Sequence, residues 1–313
     1  MAASGRVTLN DVAAASGVSR STAGFVLTND PNQTISAATR ERVRQAAREL
    51  GYVPHGVARA LREGSSRVVV LEIDWELDEG NYARSYIRGL DDELAAHDHA
   101  LLVRHGPHTR ESAQQVLHAI APRAVLRFAE PYRTGHHDLE DNGGGWKDGL
   151  AAHVALQIGH LAEQGHRRIA LALPSEHHTP VTEARERLAS RCAATLGREP
   201  LVRFDIPRPR EAGAAAVAQL RRDHPEVTAI AAFSDDIALR TVTALRDLGL
   251  AVPGDVAVIG FDDTEYGALV SPALTTVHID AEAHGRLAAR AALSLDEAGL
   301  TPVPAHIIVR ESA

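Results

Sequence analysis

At 313 residues, 44% of them hydrophobic, the chain is long enough for two or three domains around a sizeable core. Its single cysteine, Cys192, excludes an intrachain disulfide, and no apolar run has the length of a membrane span or, over Met1 to Asn10, the centre of a signal peptide. The reading is a cytoplasmic protein with no membrane partner. The net charge of −8 is uneven: residues 1–64 hold eight Arg against five Asp or Glu, a balance of +3, and the remainder carries −11. A basic head on an acidic body fits nucleic-acid contact confined to the amino-terminal end, although an unevenly charged solvated surface looks much the same.

In chain order, Thr8 is placed to cap a first helix, with Asp11 three residues on as the return partner of a capping box. Leu9, Val12 and Ala13 share its inner face, and Gly17 breaks it. Ser19 caps a second helix to about Leu27, with Ala23, Val26 and Leu27 inward. Two short helices joined through a Gly-containing turn make a helix-turn-helix, whose second helix can lie in the DNA major groove. Ser36 caps a third helix, ended by Gly51, in which Val43, Ala46, Ala47 and Leu50 keep the i, i+3, i+4, i+7 rhythm. Arg40, Arg42, Arg44 and Arg48 lie along its outer sides, where they could meet phosphates. A small three-helix bundle for protein contacts has the same spacing. Pro54 stops the third helix, and His55 to Arg62 forms a marginal eight-residue helix exposing Ala58 and Leu61 before a Gly-Ser linker.

From Arg67 onward strand and helix alternate. "VVVLEI", a helix over Tyr82 to Ala96, "ALLVR", a helix over Glu111 to Ile120 and "AVLRF" make a first series. A second begins at Asp148: a helix to Gln164, "RIALAL", a helix around Arg185 to Leu196, "LVRF", a helix over Glu211 to Arg222, "AIAAF", a helix to Leu248, "VAVIG", a helix from Asp280 to Gly299 and "AHIIV". Such alternation predicts parallel sheets in two lobes, with ligands gathered at the carboxyl ends of strands. The eighteen residues between Phe128 and Lys147 are rich in turn formers, so the first lobe reads as shortened. The predicted division is a head and hinge over 1–64 and a body over 65–313, its second lobe starting near 149.

Six segments resemble the LacI-type (lac repressor) transcriptional regulators: "VTLNDVAAASGVSRSTAGFVL", "ISAATRERVRQAARELGYVPHGVARALREG", "LAEQGHRRIALA", "FSDDIALRTVTALRDLGLAVPGDVAVIGFDD", "SPALTTV" and "VRES". The resemblance covers almost the whole chain. It implies a helix-turn-helix head and hinge helix on a two-lobed α/β body like the periplasmic binding proteins. It also implies that the protein is a homodimeric repressor on palindromic operator DNA, released by a small polar effector such as a sugar. Carried over, Ser19, Arg20, Ser21, Thr22 and Phe25 belong to the DNA-reading helix, and Ala58, Arg59 and Leu61 to the hinge, with Leu61 the minor-groove wedge. Phe25 stands where the family often has a polar base-reading residue. It can touch a thymine methyl or serve as core.

In the body the resemblance makes Asp236 the effector-binding carboxylate of an Asn-Asp motif, with Asp235 in place of the Asn. It makes Arg187 the effector-binding arginine, although Ser190 and Arg191 replace the usual Gly-aromatic pair after it. Asp262, and Asp74, Trp75 and Tyr82 near the end of the first strand, complete the expected effector set. An Arg187–Asp236 salt bridge and core packing of Trp75 are the plain alternatives. An enzyme is not expected. His136-His137 and His177-His178 lie in loops, Gly143 to Gly145 lacks the ending of a phosphate-binding loop, and Cys192 has no motif around it. Asp235-Asp236 and Asp262-Asp263 each follow a strand-like run, as paired acid-base carboxylates would, but Asp235 and Asp236 also suit a helix start. No cofactor is implied. Two rival readings remain: a DNA binder without an effector, and a sugar-binding or sugar-processing protein with an incidental head.

Overall fold

The computed structural model describes residues 7–28, 33–52, 64–73, 81–106, 110–128, 149–175 and 179–313. Outside them lie the hinge with Ala58, Arg59 and Leu61, the positions Asp74 and Trp75, the pairs His136-His137 and His177-His178, and the turn-rich stretch with Gly143 to Gly145. The chain divides into two compact units, Met1–Arg67 and Val68–Ala313.

The first unit is built on three capped helices. α1 (Leu9–Ser16) starts in a complete capping box between Thr8 and Asp11 and ends at Gly17, whose φ of 67° is a left-handed conformation that favours glycine. α2 (Arg20–Leu27) is capped by Ser19, and α3 (Ala37–Glu49) by Ser36. Val12, Ala13, Ala23, Val26, Val43, Ala46 and Ala47 are buried together between them, with Leu27 and Tyr52 against the edge. Each helix is short and would be marginal alone. The shared core and the caps hold them.

Among the described residues the second unit has two parallel sheets and a small antiparallel pair. In the first lobe β1 (Val68–Ile73) lies between β2 (Ala100–His105) and β3 (Ala124–Arg127), all parallel. α4 (Asn81–Ala96) covers one face, and α5 (Arg110–Ile120) joins β2 to β3. In the second lobe four parallel strands run in the order β5-β4-β6-β7: β5 (Val202–Ile206), β4 (Ile169–Pro174), β6 (Ala229–Ala232) and β7 (Ala257–Ile259). Strand alternation splits β4 between two cores. Ile169, Leu171 and Leu173 pack with α6 (Gly149–Glu163) and α7 (Pro180–Thr195). Ala170 and Ala172 face the layer of α8 (Arg210–Asp223) and α9 (Asp235–Asp247).

Beyond β7 come α10 (Glu265–Leu269), β8 (Thr276–His278), α11 (Ala281–Leu293) and β9 (His306–Ile308). Three details correct the sequence reading. α10 and β8 are additional to the elements the sequence predicts, since both are too short to show a period. β8 and β9 pair antiparallel, so the sheets are not all parallel. The last long helix stops at Leu293 instead of Gly299, because Ser294 turns left-handed at φ 59° and closes the helix on the Ala291 and Arg290 carbonyls.

α11 also ties the lobes together. Its Ala289 and Leu293 are buried with Val69, Leu71, Ile73, Leu90 and Leu94 of the first lobe, whereas Val277 and Ile279 just before it belong to a second-lobe core. α11 crosses α4 at two glycines. A Cβ on Gly89 would collide with the Glu282 carbonyl, and one on Gly285 with the Tyr86 carbonyl. Only glycine allows backbones so close. Arg88–Glu282 at 3.0 Å and Arg290–Glu93 at 2.6 Å flank the crossing.

Candidate functional site

On the head, the outer side of α2 is the candidate surface. Ser21, Phe25 and Thr28 follow the i, i+4, i+7 spacing of one side, and the buried Ala23 and Val26 lie on the other. Arg20 and Ser21 are exposed, and neither has a partner among the described residues. Ser19 and Thr22 are engaged locally. The Ser19 hydroxyl accepts the Thr22 N–H at 3.0 Å, and the two hydroxyls are 2.8 Å apart. Phe25 is half-buried and is not among the side chains packed on the head core.

The arginines of α3 are used differently from the expectation of a phosphate-facing row. Arg42 Nε donates to the Ser16 carbonyl at 2.9 Å, closing the carboxyl end of α1. Arg40 donates to the Ile35 and Gln33 carbonyls at 3.3 and 3.0 Å, holding the approach to α3. Arg48 pairs with Glu41 at 2.7 Å. α1 brings no basic residue of its own to its last turn, so Arg42 supplies charge where the helix dipole is negative.

In the body, chemistry gathers where β4, β6 and β7 end. Asp235 opens α9, is completely buried, and accepts four hydrogen bonds: Phe261 N–H at 2.8 Å, Thr276 hydroxyl at 2.6 Å, and Thr264 N–H and hydroxyl at 2.6 and 3.0 Å. Burial pushes its carboxyl up, and these bonds oppose the shift. Asp235 is therefore a staple between α9 and the chain leaving β7. Its neighbour Asp236 is half-buried and has no hydrogen bond or ion pair among the described residues.

Asp262 follows β7 with φ 105°, and Asp263 with φ 50°, two successive left-handed residues that turn the chain sharply. Such backbone strain persists only where the surroundings over-determine it. Here the Asp262 N–H is held by the Val277 carbonyl at 3.0 Å. From the first lobe, Asn81 Nδ2 donates to the Asp262 and Asp263 carbonyls, both at 3.2 Å. Burial raises the Asp262 carboxyl well above its usual range, Asp235 and Asp236 push the same way, and Arg185 opposes them.

Arg185, not Arg187, is the arginine of this cluster. It is 3% exposed, donates to Gln157 Oε1 at 3.1 Å, and lays its guanidinium 3.5 Å from the centroid of the Phe261 ring. Gln157 is oriented in turn by the Ala232 and Gly260 carbonyls, at 2.8 and 2.9 Å. Arg187 is exposed, with no ion pair to Asp236. Two helix positions are roughly 200° apart around the axis, so the two arginines cannot share a face. The buried neighbours Ala184, Leu188 and Ala189 could have given the inner face of α7 in advance, and that face includes Arg185. Tyr82 lies near the same region from the first lobe, its hydroxyl 3.2 Å from His284 Nδ1 and its ring against Tyr86 and Phe128.

No group of three or more His, Cys, Asp or Glu among the described residues is placed to hold a metal, and no described helix is long and apolar enough to cross a membrane. Burial pushes the Cys192 thiol up, away from the reactive thiolate.

Two family models match. Residues 8–55 match that of the bacterial regulatory proteins, lacI family, and residues 158–313 match a periplasmic binding protein-like domain. The transcriptional regulator CelR of Thermobifida fusca is 32% identical, with 98% of each chain covered. The regulator GalR of Escherichia coli (strain K12) is 28% identical over 92% of this chain and 89% of its own. Among solved structures, a CelR–cellobiose complex aligns at 26% identity and a TM-score of 0.61, covering 98% of this chain and 100% of that one. A lac repressor dimer bound to operator and the anti-inducer ONPF aligns at 22% identity and a TM-score of 0.74, covering 98% and 99%; its likeness is one of fold.

Proposed function

Because the chain belongs to the LacI family of bacterial regulatory proteins, a family of DNA-binding transcriptional regulators, we propose that it is a repressor released by a small polar effector. The observation that carries the DNA part is α2: a capped helix on a sealed core, with Arg20 and Ser21 exposed and uncommitted. An arginine at a helix start can fork onto guanine, and a short hydroxyl beside it can reach either a base or a phosphate. Phe25 supplies an apolar contact suited to a thymine methyl.

Two copies would read a palindromic operator, and the lac repressor of the compared structure is a dimer on its operator. Exposed Tyr266 and Leu269 on α10, the latter 73% accessible, supply apolar surface for such pairing. The hinge role of Ala58, Arg59 and Leu61 rests on the family resemblance.

For the effector we assign Arg185, Asp236 and Asp262, with Tyr82 and Asn81 reaching the region from the first lobe. Arg187 is replaced in this set by Arg185, and Asp74 and Trp75 remain assigned by resemblance alone. Support comes from three strand ends converging on one uncommitted carboxylate, one carboxyl carried on strained backbone and one stacked guanidinium. Carboxylates and a guanidinium bind vicinal hydroxyls by charge-assisted hydrogen bonds. The CelR of the compared structure is in complex with cellobiose, so a sugar is the first class to test. Effector and operator must weaken each other by the same factor. A titration of operator complex with mono- and disaccharides, cellobiose included, tests this reading. Release by a sugar supports it, and release by none favours the regulator without an effector.

A further inference from the structure

The edge of the second-lobe sheet carries a group of cations that neither the head nor the Arg185 cluster uses. β5 ends at Ile206, and the chain passes through Pro207, Arg208 and Pro209 into α8. Between this loop, the start of α8 and the middle of α9 lies a cavity of about 220 Å³. Arg208, Arg210 and Arg240 line it, together with Gly213, Leu239 and Thr243, and no carboxylate is among its lining residues.

The three arginines are not equivalent. Arg210 is committed to Asp247, through Nε at 2.8 Å and Nη2 at 2.6 Å. Arg208 is exposed at the mouth. Arg240 Nη1 is shut off from solvent and has no hydrogen-bond partner among the described residues. A buried guanidinium N–H without an acceptor is a desolvation cost left standing, and a turn of the guanidinium toward an anion in the cavity would remove it. The start of α8 adds to the field. Its N-cap is Pro209, which supplies no side-chain acceptor, so the first-turn N–H groups lack the usual cap.

We propose that this cavity binds an oxyanion, either inorganic phosphate or the phosphate end of a small metabolite, with the half-buried Arg240 as the inner ligand and Arg208 closing the mouth. Guanidinium forks match phosphate oxygens in pairs, and the volume admits a tetrahedral anion with a small organic substituent.

Calorimetric titration of the full chain with sodium phosphate and, separately, with glycerol 3-phosphate tests this, with ionic strength held constant by sodium chloride. One saturable site is expected. Arg240→Gln and Arg208→Gln should each weaken binding at least tenfold. Arg84→Gln, which removes an equal charge from an exposed position in the first lobe, should leave it unchanged. Tighter binding of glycerol 3-phosphate identifies a metabolite ester as the natural occupant, and equal or tighter binding of phosphate identifies the free ion. Absence of saturable binding to either anion overturns the proposal, as does unchanged binding in both arginine variants. Should Arg240→Gln fail to fold by circular dichroism, Arg208→Gln decides, because that side chain is exposed and its loss does not open the core.

Discussion

The guanidinium of Arg185 lies 3.5 Å from the centroid of the Phe261 ring, so that α7 is joined to the end of β7 by a stacked cation. The same guanidinium reaches Gln157 and offsets the repulsion among Asp235, Asp236 and Asp262. Arg185→Met should therefore abolish sugar-induced release of operator. It should also lower body stability by about 1–3 kcal/mol, since Gln157 Oε1 loses its donor. Arg187→Met should change stability by less than about 0.5 kcal/mol and leave release intact. Anisotropy of a labelled operator and chemical denaturation read both. Loss of release in the Arg187 variant alone would return the role to Arg187.

The head makes a parallel distinction between a structural and a reading arginine. Arg42→Ala removes the bond to the Ser16 carbonyl, so the thermal midpoint of the head should fall by an amount equivalent to about 1–2 kcal/mol. Arg20→Ala removes no bond within the described residues and should leave the midpoint in place. A melting curve that reverses this order would show that Arg42 is free to serve DNA.

Gly285→Ala drives a Cβ into the Tyr86 carbonyl, where α11 and α4 have no room to part without opening the first-lobe core. Overpacking of this kind costs about 1–3 kcal/mol. Gly24→Ala is the opposite case. Its Cβ would meet Leu9 at an ordinary 3.6 Å, and the helix should gain up to about 1 kcal/mol. Urea midpoints that move the same way for both would contradict the packing described.

A pH effect follows from His278, whose Nδ1 is 3.0 Å from Asp263 Oδ2, while Arg310 donates to Oδ1 at 2.8 Å. The His278 bond holds the Asp263 carboxyl below its usual range, and the same bond holds His278 above its own. The Asp263 contribution is present above about pH 4 and lost as pH falls through its lowered value. The His278 contribution is present below about pH 6.5 and lost as pH rises through its raised value. Both act together between, so the midpoint loss in His278→Gln should be greatest between about pH 4 and 6.5 and fade as pH rises through the raised value of His278. The groups are partly exposed, which keeps the effect small. A loss that grows with pH would contradict the pairing.

Much of this architecture is readable from residues because it is local. Thr8, Ser19 and Ser36 announce their helices through hydroxyls that must cap free N–H groups, and the apolar strand runs follow from burial on both faces. What is lost is set by tertiary contact. α10 and β8 are too short to carry a period, and Ser294 ends α11 through a backbone conformation that its side chain does not advertise. Arg42 looked like a surface cation because its acceptor, the Ser16 carbonyl, lies twenty-six residues away. Motif position points to Arg187, whereas the inward face of α7 is fixed by its packing neighbours and takes Arg185.

Selection of duplexes from a random-sequence pool, with wild-type chain and Arg20→Ala in parallel, tests most directly that α2 reads DNA. The wild type should enrich a palindromic sequence whose affinity falls steeply with salt. Arg20→Ala should enrich the same half-site spacing with preference relaxed at one or two symmetric base pairs. Failure of the wild type to enrich any sequence, or identical preferences in the two selections, would contradict the account.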